Sequence, residues 1–279
     1  MENLENRGHS KRDKTELTPH SSIMIKKIAL GLMSLGLAVG AYAATPGTDN
    51  AADAAYDLGW TEGTDGGTPA TFNPWSLTEN NNNGTTVLAG YFIGDSTAGS
   101  GDINTSGKSF GVFANPAGAF ANANRSFDSA LDVGQTFSID LAVNFRNGNK
   151  GINLYSGGTG GVQLFNFNVG SDMYSIQGTD TGLAYDPASV FHLAFTQDTL
   201  GGGTYSVSRG ASVFSGSYTG DIDALRLYNA GTNGGEDGAA DNLYANNLSI
   251  TAPIPEPATV LLVGPALLGG MFFVRRRRA

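Results

Sequence analysis

The sequence contains no cysteine. That absence removes disulfides, thiolate zinc sites, iron–sulfur clusters and cysteine nucleophiles together. Histidine is nearly missing as well: His9 and His20 lie close to the start, and only His192 remains in the body of the chain. A catalytic zinc site usually draws on several imidazoles, and a serine hydrolase needs one as its base. No nucleophile elbow accompanies His192. Alternation places it on the side of a strand opposite Phe191, Leu193 and Phe195, so the sequence reads it as an ordinary outward residue. Charged residues make up only 15% of the chain, yet aromatics reach 10%. A disordered polyelectrolyte has the reverse balance.

Positive charge is scarce in the middle and concentrated at the ends. Residues 1–27 hold Arg7, Lys11, Arg12, Lys14, Lys26 and Lys27, and the last residues hold Arg275, Arg276, Arg277 and Arg278. Residues 44–254 are left with Lys108, Arg125, Arg146, Lys150, Arg209 and Arg226, against twenty Asp and Glu. Affinity for phosphate backbones comes from Lys and Arg that displace counterions, so nucleic acid is not an expected partner.

The two ends read as addresses. Met24-Ile-Lys-Lys is followed by the apolar run Ile28 to Val39 and then by Ala41-Tyr42-Ala43. A basic start, an apolar stretch of about a dozen residues and a small-x-small site form a secretory signal pattern, with cleavage expected after Ala43. A buried or anchoring helix is the alternative, though the run is short for a span of about 20 residues. Residues 1–23 are polar, so Met24 is an alternative start. At the other end, Pro255-Glu256-Pro257 precedes the uncharged stretch Ala258 to Val274, which reaches about 25 Å as a helix. That is the lower limit for a bilayer core, and the four arginines after it would stay on the cytoplasmic side. A plain membrane anchor is the alternative reading.

Those three C-terminal elements, in that order, resemble the PEP-CTERM sorting signal of exopolysaccharide-producing Gram-negative bacteria. The resemblance covers residues 253–279. It implies recognition of Pro255, Glu256 and Pro257 by the membrane enzyme exosortase, with Arg275 to Arg278 as the stop-transfer cluster. It further implies removal of the tail and delivery of the body to the outer envelope or extracellular matrix. The expected partners are therefore exosortase, the secretion machinery and, before processing, the inner membrane.

Between the addresses, no window shows a helical stripe. Gln135 to Phe145 alternates strictly, with Phe137, Ile139, Leu141, Val143 and Phe145 on one face and Thr136, Ser138, Asp140 and Asn144 on the other. Further strand candidates are Thr86–Ile93, Ser109–Ala114, Val162–Val169, Met173–Ile176, Val190–Thr196, Thr204–Ser208, Ser212–Tyr218, Ala224–Tyr228 and Leu243–Ile250, with another around Ile152 and Leu154. Gly-, Asn- or Asp-bearing turns separate nearly all of them. About a dozen short strands in one core predict an all-β fold, a two-sheet sandwich or jelly roll, flanked by an N-terminal signal helix and a C-terminal transmembrane helix. The expected organisation is 1–43 signal peptide with a polar extension, 44–84 a Gly/Asn-rich start of the mature chain, 85–252 the sandwich and 253–279 the sorting tail. Gly101 to Gly107, Phe110 to Asn115 and Asp241 to Ile250 resemble uncharacterised secreted bacterial domains with a concanavalin-like jelly roll. Domains of that architecture often bind carbohydrate, although fold does not settle function.

The search for chemistry is brief. Gly107-Lys108-Ser109 invites a phosphate-loop reading, but the required upstream Gly is Asp102, an acid that would repel phosphate. The segment reads as a glycine-rich turn. Concanavalin-like hydrolases carry a Glu-x-Asp-x-x-Glu strand, and none occurs here; the body has only Glu62, Glu79 and Glu236. Asp221, Asp223, Glu236, Asp237 and Asp241 cluster along acidic, glycine-rich stretches that would suit calcium or stand as solvated turns. No other cofactor is expected. Trp60, Trp75, Tyr91, Tyr155 and Tyr218 are open either to sugar stacking or to core packing. The reading that joins these observations is an exported, exosortase-processed, non-enzymatic surface or extracellular protein that holds exopolysaccharide. A glycan hydrolase using aspartates and a self-associating structural surface protein are its alternatives.

Overall fold

The computed structural model describes residues 45–68, 71–80, 88–115, 118–143, 145–170, 173–231 and 242–252. All belong to one compact unit, Ala41–Ala279. The signal segment with Ala41 and Ala43, the sorting tail, and the acidic residues Glu236, Asp237 and Asp241 lie outside the described residues. Among the described residues, no helix is long and apolar enough to cross a membrane.

The strands are β1 Gly47–Asp49, β2 Ser76–Asn80, β3 Ala89–Gly94, β4 Ser109–Ala114, β5 Phe120–Ser126, β6 Thr136–Val143, β7 Asn149–Ser156 and β8 Val162–Asn168. They continue with β9 Ser175–Ile176, β10 Thr179–Asp180, β11 Val190–Thr199, β12 Gly202–Arg209, β13 Ser212–Thr219, β14 Ala224–Ala230 and β15 Leu243–Thr251. They form two sheets. The eight-stranded sheet runs β13-β12-β11-β6-β15-β4-β3, with β1 also on β15, and the seven-stranded sheet runs β10-β9-β8-β7-β14-β5-β2. Among the described strands every neighbouring pair is antiparallel, as in β14 with β5 and β7.

Alternation explains why the sheets face each other. On β6, Phe137, Ile139 and Leu141 are buried while Thr136, Ser138 and Asp140 are not. On β11, Phe191, Leu193 and Phe195 are buried and His192 is exposed. The inner rings of the two sheets interlock: Phe165 of the seven-stranded sheet meets Phe195 and Tyr205 of the eight-stranded sheet at 4.7 and 4.8 Å. Phe167 meets Phe191 at 5.1 Å. Edge-on aromatic contacts of this kind add to the burial of large apolar surfaces that holds two sheets together.

The sandwich begins before residue 85. β1 pairs with β15, β2 pairs with β5, and the intervening chain buries Tyr56, Trp60, Phe72 and Trp75 in the same core. A polar cluster pins this strap. Arg125, on the inner face of β5, bonds Asp49, Asp65 (2.6 Å) and the Asn73 carbonyl (2.8 Å). Its guanidinium lies 4.9 Å from the Phe72 ring and 4.8 Å from Trp75. Tyr56 donates to Asp49 (2.7 Å) and accepts from the Trp75 indole (3.1 Å). A buried cation is tolerated only when paired in this way.

Asn246 performs a second joining task. At the irregularity after Asn246, β15 exchanges β4 for β1 along the same edge. Its side chain accepts from the Ala51 amide (2.9 Å) and donates to the carbonyls of Ile103 (2.9 Å) and Lys108 (3.0 Å). Fully buried, it satisfies the Ala51 amide and the Ile103 carbonyl beside the interrupted ladder and adds a second bond to the Lys108 carbonyl, which also accepts from the Thr105 amide.

Candidate functional site

The outer face of the seven-stranded sheet is built largely from asparagine side chains on β5, β7 and β8, with Arg226 and Tyr228 of β14. Register sets Ser76, Asn124, Arg226, Asn153 and Asn166 in one row across β2, β5, β14, β7 and β8. The neighbouring row is Thr78, Asn122, Tyr228, Gly151 and Asn168. Tyr155 and Gln163 extend a third. Their inner neighbours Ala123, Leu227, Ile152, Leu154 and Phe167 are buried, which forces the amides outward.

Hydrogen bonds hold these groups in fixed poses. Asn166 donates to the Asn153 carbonyl oxygen (2.7 Å) and to the Tyr228 hydroxyl (2.9 Å), and Asn153 donates to the Tyr155 hydroxyl (3.1 Å). Arg226 Nε donates to Asn124 (2.7 Å), Nη2 donates to the Thr159 carbonyl (3.0 Å), and the guanidinium lies 5.2 Å from the Tyr155 ring. Burial pushes the Tyr228 phenol up to about 12, so it stays a neutral hydroxyl. Gly151 makes room for it: a Cβ there would sit 3.1 Å from the Tyr228 hydroxyl and 1.9 Å from the Phe167 carbonyl. Asn166 spends both N–H groups and keeps its oxygen as an acceptor, while Asn124 and Asn153 each keep an N–H. Tyr155, 5% exposed, serves as the support beneath Arg226. Such a mix of fixed donors and acceptors suits a ligand rich in hydroxyls.

The other outer face differs. There Thr196, Thr204, Ser206, Ser215, Ser217 and Ala194 line an open groove of about 510 Å³. Of its hydroxyls, Thr196 bonds Thr136 at 2.8 Å; farther along the same face Ser138 bonds Ser249, also at 2.8 Å. His192 stands on this face with its side chain 62% exposed, and Nδ1 is 2.6 Å from Asp140. Asp140 also accepts from Asn247 at 2.9 Å. Ser208 is the cross-strand neighbour of His192, yet its Oγ donates to the His192 carbonyl at 3.4 Å. The serine is engaged with backbone, so the row does not form a nucleophile–base pair.

Asp221 and Asp223 are drawn to different sheets. Asp221 accepts from Gln197 (2.8 Å) and the Gly201 amide (2.6 Å) at the β11–β12 turn. Asp223 accepts from the Gly157 and Gly158 amides (2.8 and 2.9 Å) at the β7–β8 turn. Both carboxylates anchor turns, and the remaining members of the acidic set lie outside the described residues. Among the described residues, no three His, Asp or Glu side chains gather into a metal-sized group. Lys108 lies at a two-residue turn, with Ser106 and Gly107 at φ of 51° and 75°, closing the Thr105–Lys108 bridge.

The aromatic candidates separate as well. Trp60 and Trp75 are 3% and 1% exposed and pack edge-to-face at 4.9 Å. Tyr218 is buried, donating to the Thr196 carbonyl at 3.0 Å. Half-buried Tyr91 exchanges hydrogen bonds with the Asn122 backbone at 2.9 and 3.1 Å. Tyr155 belongs to the outer amide face, beneath Arg226.

No family model matches the chain, and no curated protein matches it. Among solved structures, it is similar to a conserved carbohydrate esterase from a Shiga toxin-encoding bacteriophage. That match has 13% identity and a TM-score of 0.38, covering 63% of this chain and 88% of that one. It is also similar to domain 4 of an extracellular arabinanase from Geobacillus stearothermophilus, solved with arabinotriose. Here the identity is 17% and the TM-score 0.34, over 68% of this chain and 88% of that one. A family 11 carbohydrate-binding module from Clostridium thermocellum matches at 8% identity and TM-score 0.28, over 76% of this chain and 99% of that one. At those identities and scores, the neighbours say nothing of this chain's ligand.

Proposed function

We propose that the protein is an exported envelope or matrix protein that holds glycan without turning it over, on the outer face of its seven-stranded sheet. One observation carries the binding reading: register lines Asn124, Arg226, Asn153 and Asn166 across four neighbouring strands beside Tyr155 and Tyr228. With strands about 4.8 Å apart, the row is about 14 Å long and offers a polar group at each step to a chain of sugar hydroxyls. Support for a role without turnover comes from the same rows, whose described side chains include no carboxylate or histidine to act as acid or base. Support for export comes from the signal pattern ending at Ala43 and from the sorting-type tail beginning at Pro255.

The binding test uses protein recovered from native cells on an array of bacterial polysaccharides. Retention without release of sugar is expected, and Asn153→Ala with Asn166→Ala should weaken it while His192→Ala should not. Reducing ends appearing with time would transfer the reading to the hydrolase alternative.

A further inference from the structure

Resting on that reading, we infer that the glycan this face takes is acidic, and that Arg226 binds its carboxylate. The surroundings of Arg226 carry the argument. Among the described residues, Lys108 pairs with Asp57 at 3.0 Å and buried Arg125 with Asp49 and Asp65, whereas Arg209 bonds the Ala184 carbonyl and Ser189 and lies over Tyr174, away from the amide rows. Arg226 is half-buried, and its protein partners are neutral: the Asn124 amide oxygen, the Thr159 carbonyl and the Tyr155 ring.

A guanidinium carries five N–H donors, so those two bonds leave three, including both on Nη1. The bonds at Nε and Nη2 fix the plane of the group, while the Tyr155 ring supports it. An Arg held rigid and only partly hydrated loses little entropy on gaining a ligand, and a planar fork matches a carboxylate. Asn124, Arg226, Asn153 and Asn166 sit side by side in register, so a carboxylate on Arg226 brings its own sugar ring and the next under amide groups. The rows contain no acidic side chain to compete for the cation. The body's excess of acidic residues opposes dense polyanions, so the carboxylates of this ligand are spaced along an otherwise neutral chain. The ligand class is a uronate-bearing polysaccharide.

The test measures binding of the native-cell protein to that cell's own polysaccharide, before and after chemical reduction of its carboxylates to primary alcohols. The expected result is a loss of about tenfold or more on reduction, the scale of one charge-assisted hydrogen-bonded contact. Arg226→Gln should lose much more affinity for the untreated polymer than for the reduced one, and Arg226→Lys should recover part of that difference. The wild-type comparison stands even if a variant folds poorly. Equal binding to both polymers would overturn the acidic assignment and leave glycan binding intact. Binding to neither would overturn both.

Discussion

Arg125 occupies an inner sheet position where an apolar side chain would ordinarily stand, and the consequences can be measured. Burial raises the Asp49 carboxyl from 3.8 to about 6, despite the opposing pull of Arg125 and of the Tyr56 hydrogen bond. The folded protein therefore holds this proton more tightly than the unfolded chain does. Asp49's contribution to stability falls as pH rises from about 4 to about 6 and is level above that. Removing the cation exposes the cost. Arg125→Met should destabilise by about 3–5 kcal/mol at pH 7, where Asp49 is left as an unpaired buried charge. The loss should be smaller at pH 5, where Asp49 takes up a proton. Urea denaturation at the two pH values decides the matter, and equal losses would show that the ion pair is not the cause. Gly151 makes a steric counterpart. With Phe167 O only 1.9 Å from its missing Cβ, Gly151→Ala should lower the melting temperature by forcing β7 and β8 apart, at a cost of about 1–3 kcal/mol.

At the scale of elements, legibility follows the size of the inward residues. β6 shows its strand character in sequence because Phe137, Ile139 and Leu141 alternate with Thr136, Ser138 and Asp140. β5 does not, because its inner residues are Ala121, Ala123 and Arg125, set between asparagines. Its strandness comes from neighbours: β2 and β14 pair on either side, and the small alanines suit close packing. The candidate face was hidden for the same reason. Asn153 and Asn166 fall within strand candidates, yet only cross-strand register brings them into one row with Asn124, which does not. Tyr155 was visible as an aromatic, but its companion Arg226 was not. The strap Gly47–Asn80 falls within the Gly/Asn-rich start expected to precede the sandwich, whereas its tyrosine, tryptophans and β1 join the core. Asn246 tests that union. Asn246→Ala would orphan the Ala51 amide, at about 1–3 kcal/mol, and leave the Ile103 carbonyl with only a 3.5 Å bond from Asn247, while the Lys108 carbonyl keeps the Thr105 amide. Hydrogen exchange should then quicken first in β1 and at the β4–β15 junction. Uniform loss of protection across both sheets would argue against a local role.

For the whole molecule, the account joins an address to a surface. If the tail directs processing, protein from native cells should have a mass corresponding to a start near Ala44 and an end near Pro255–Pro257. Changing all three sorting residues to alanine should leave the uncut form in the membrane fraction. Unchanged mass and location in that variant would reduce the tail to a plain anchor. The surface claim is more central, because it says what the delivered body does. Hydrogen–deuterium exchange of the native-cell protein, with and without those cells' own polysaccharide, tests it most directly. Slowed exchange in β5, β14, β7 and β8 around Asn124, Arg226 and Asn153, with the hydroxyl groove of β11–β13 unchanged, is the predicted result. Protection confined to that groove, or none at saturating polysaccharide, would contradict the assignment of the glycan to the seven-stranded sheet.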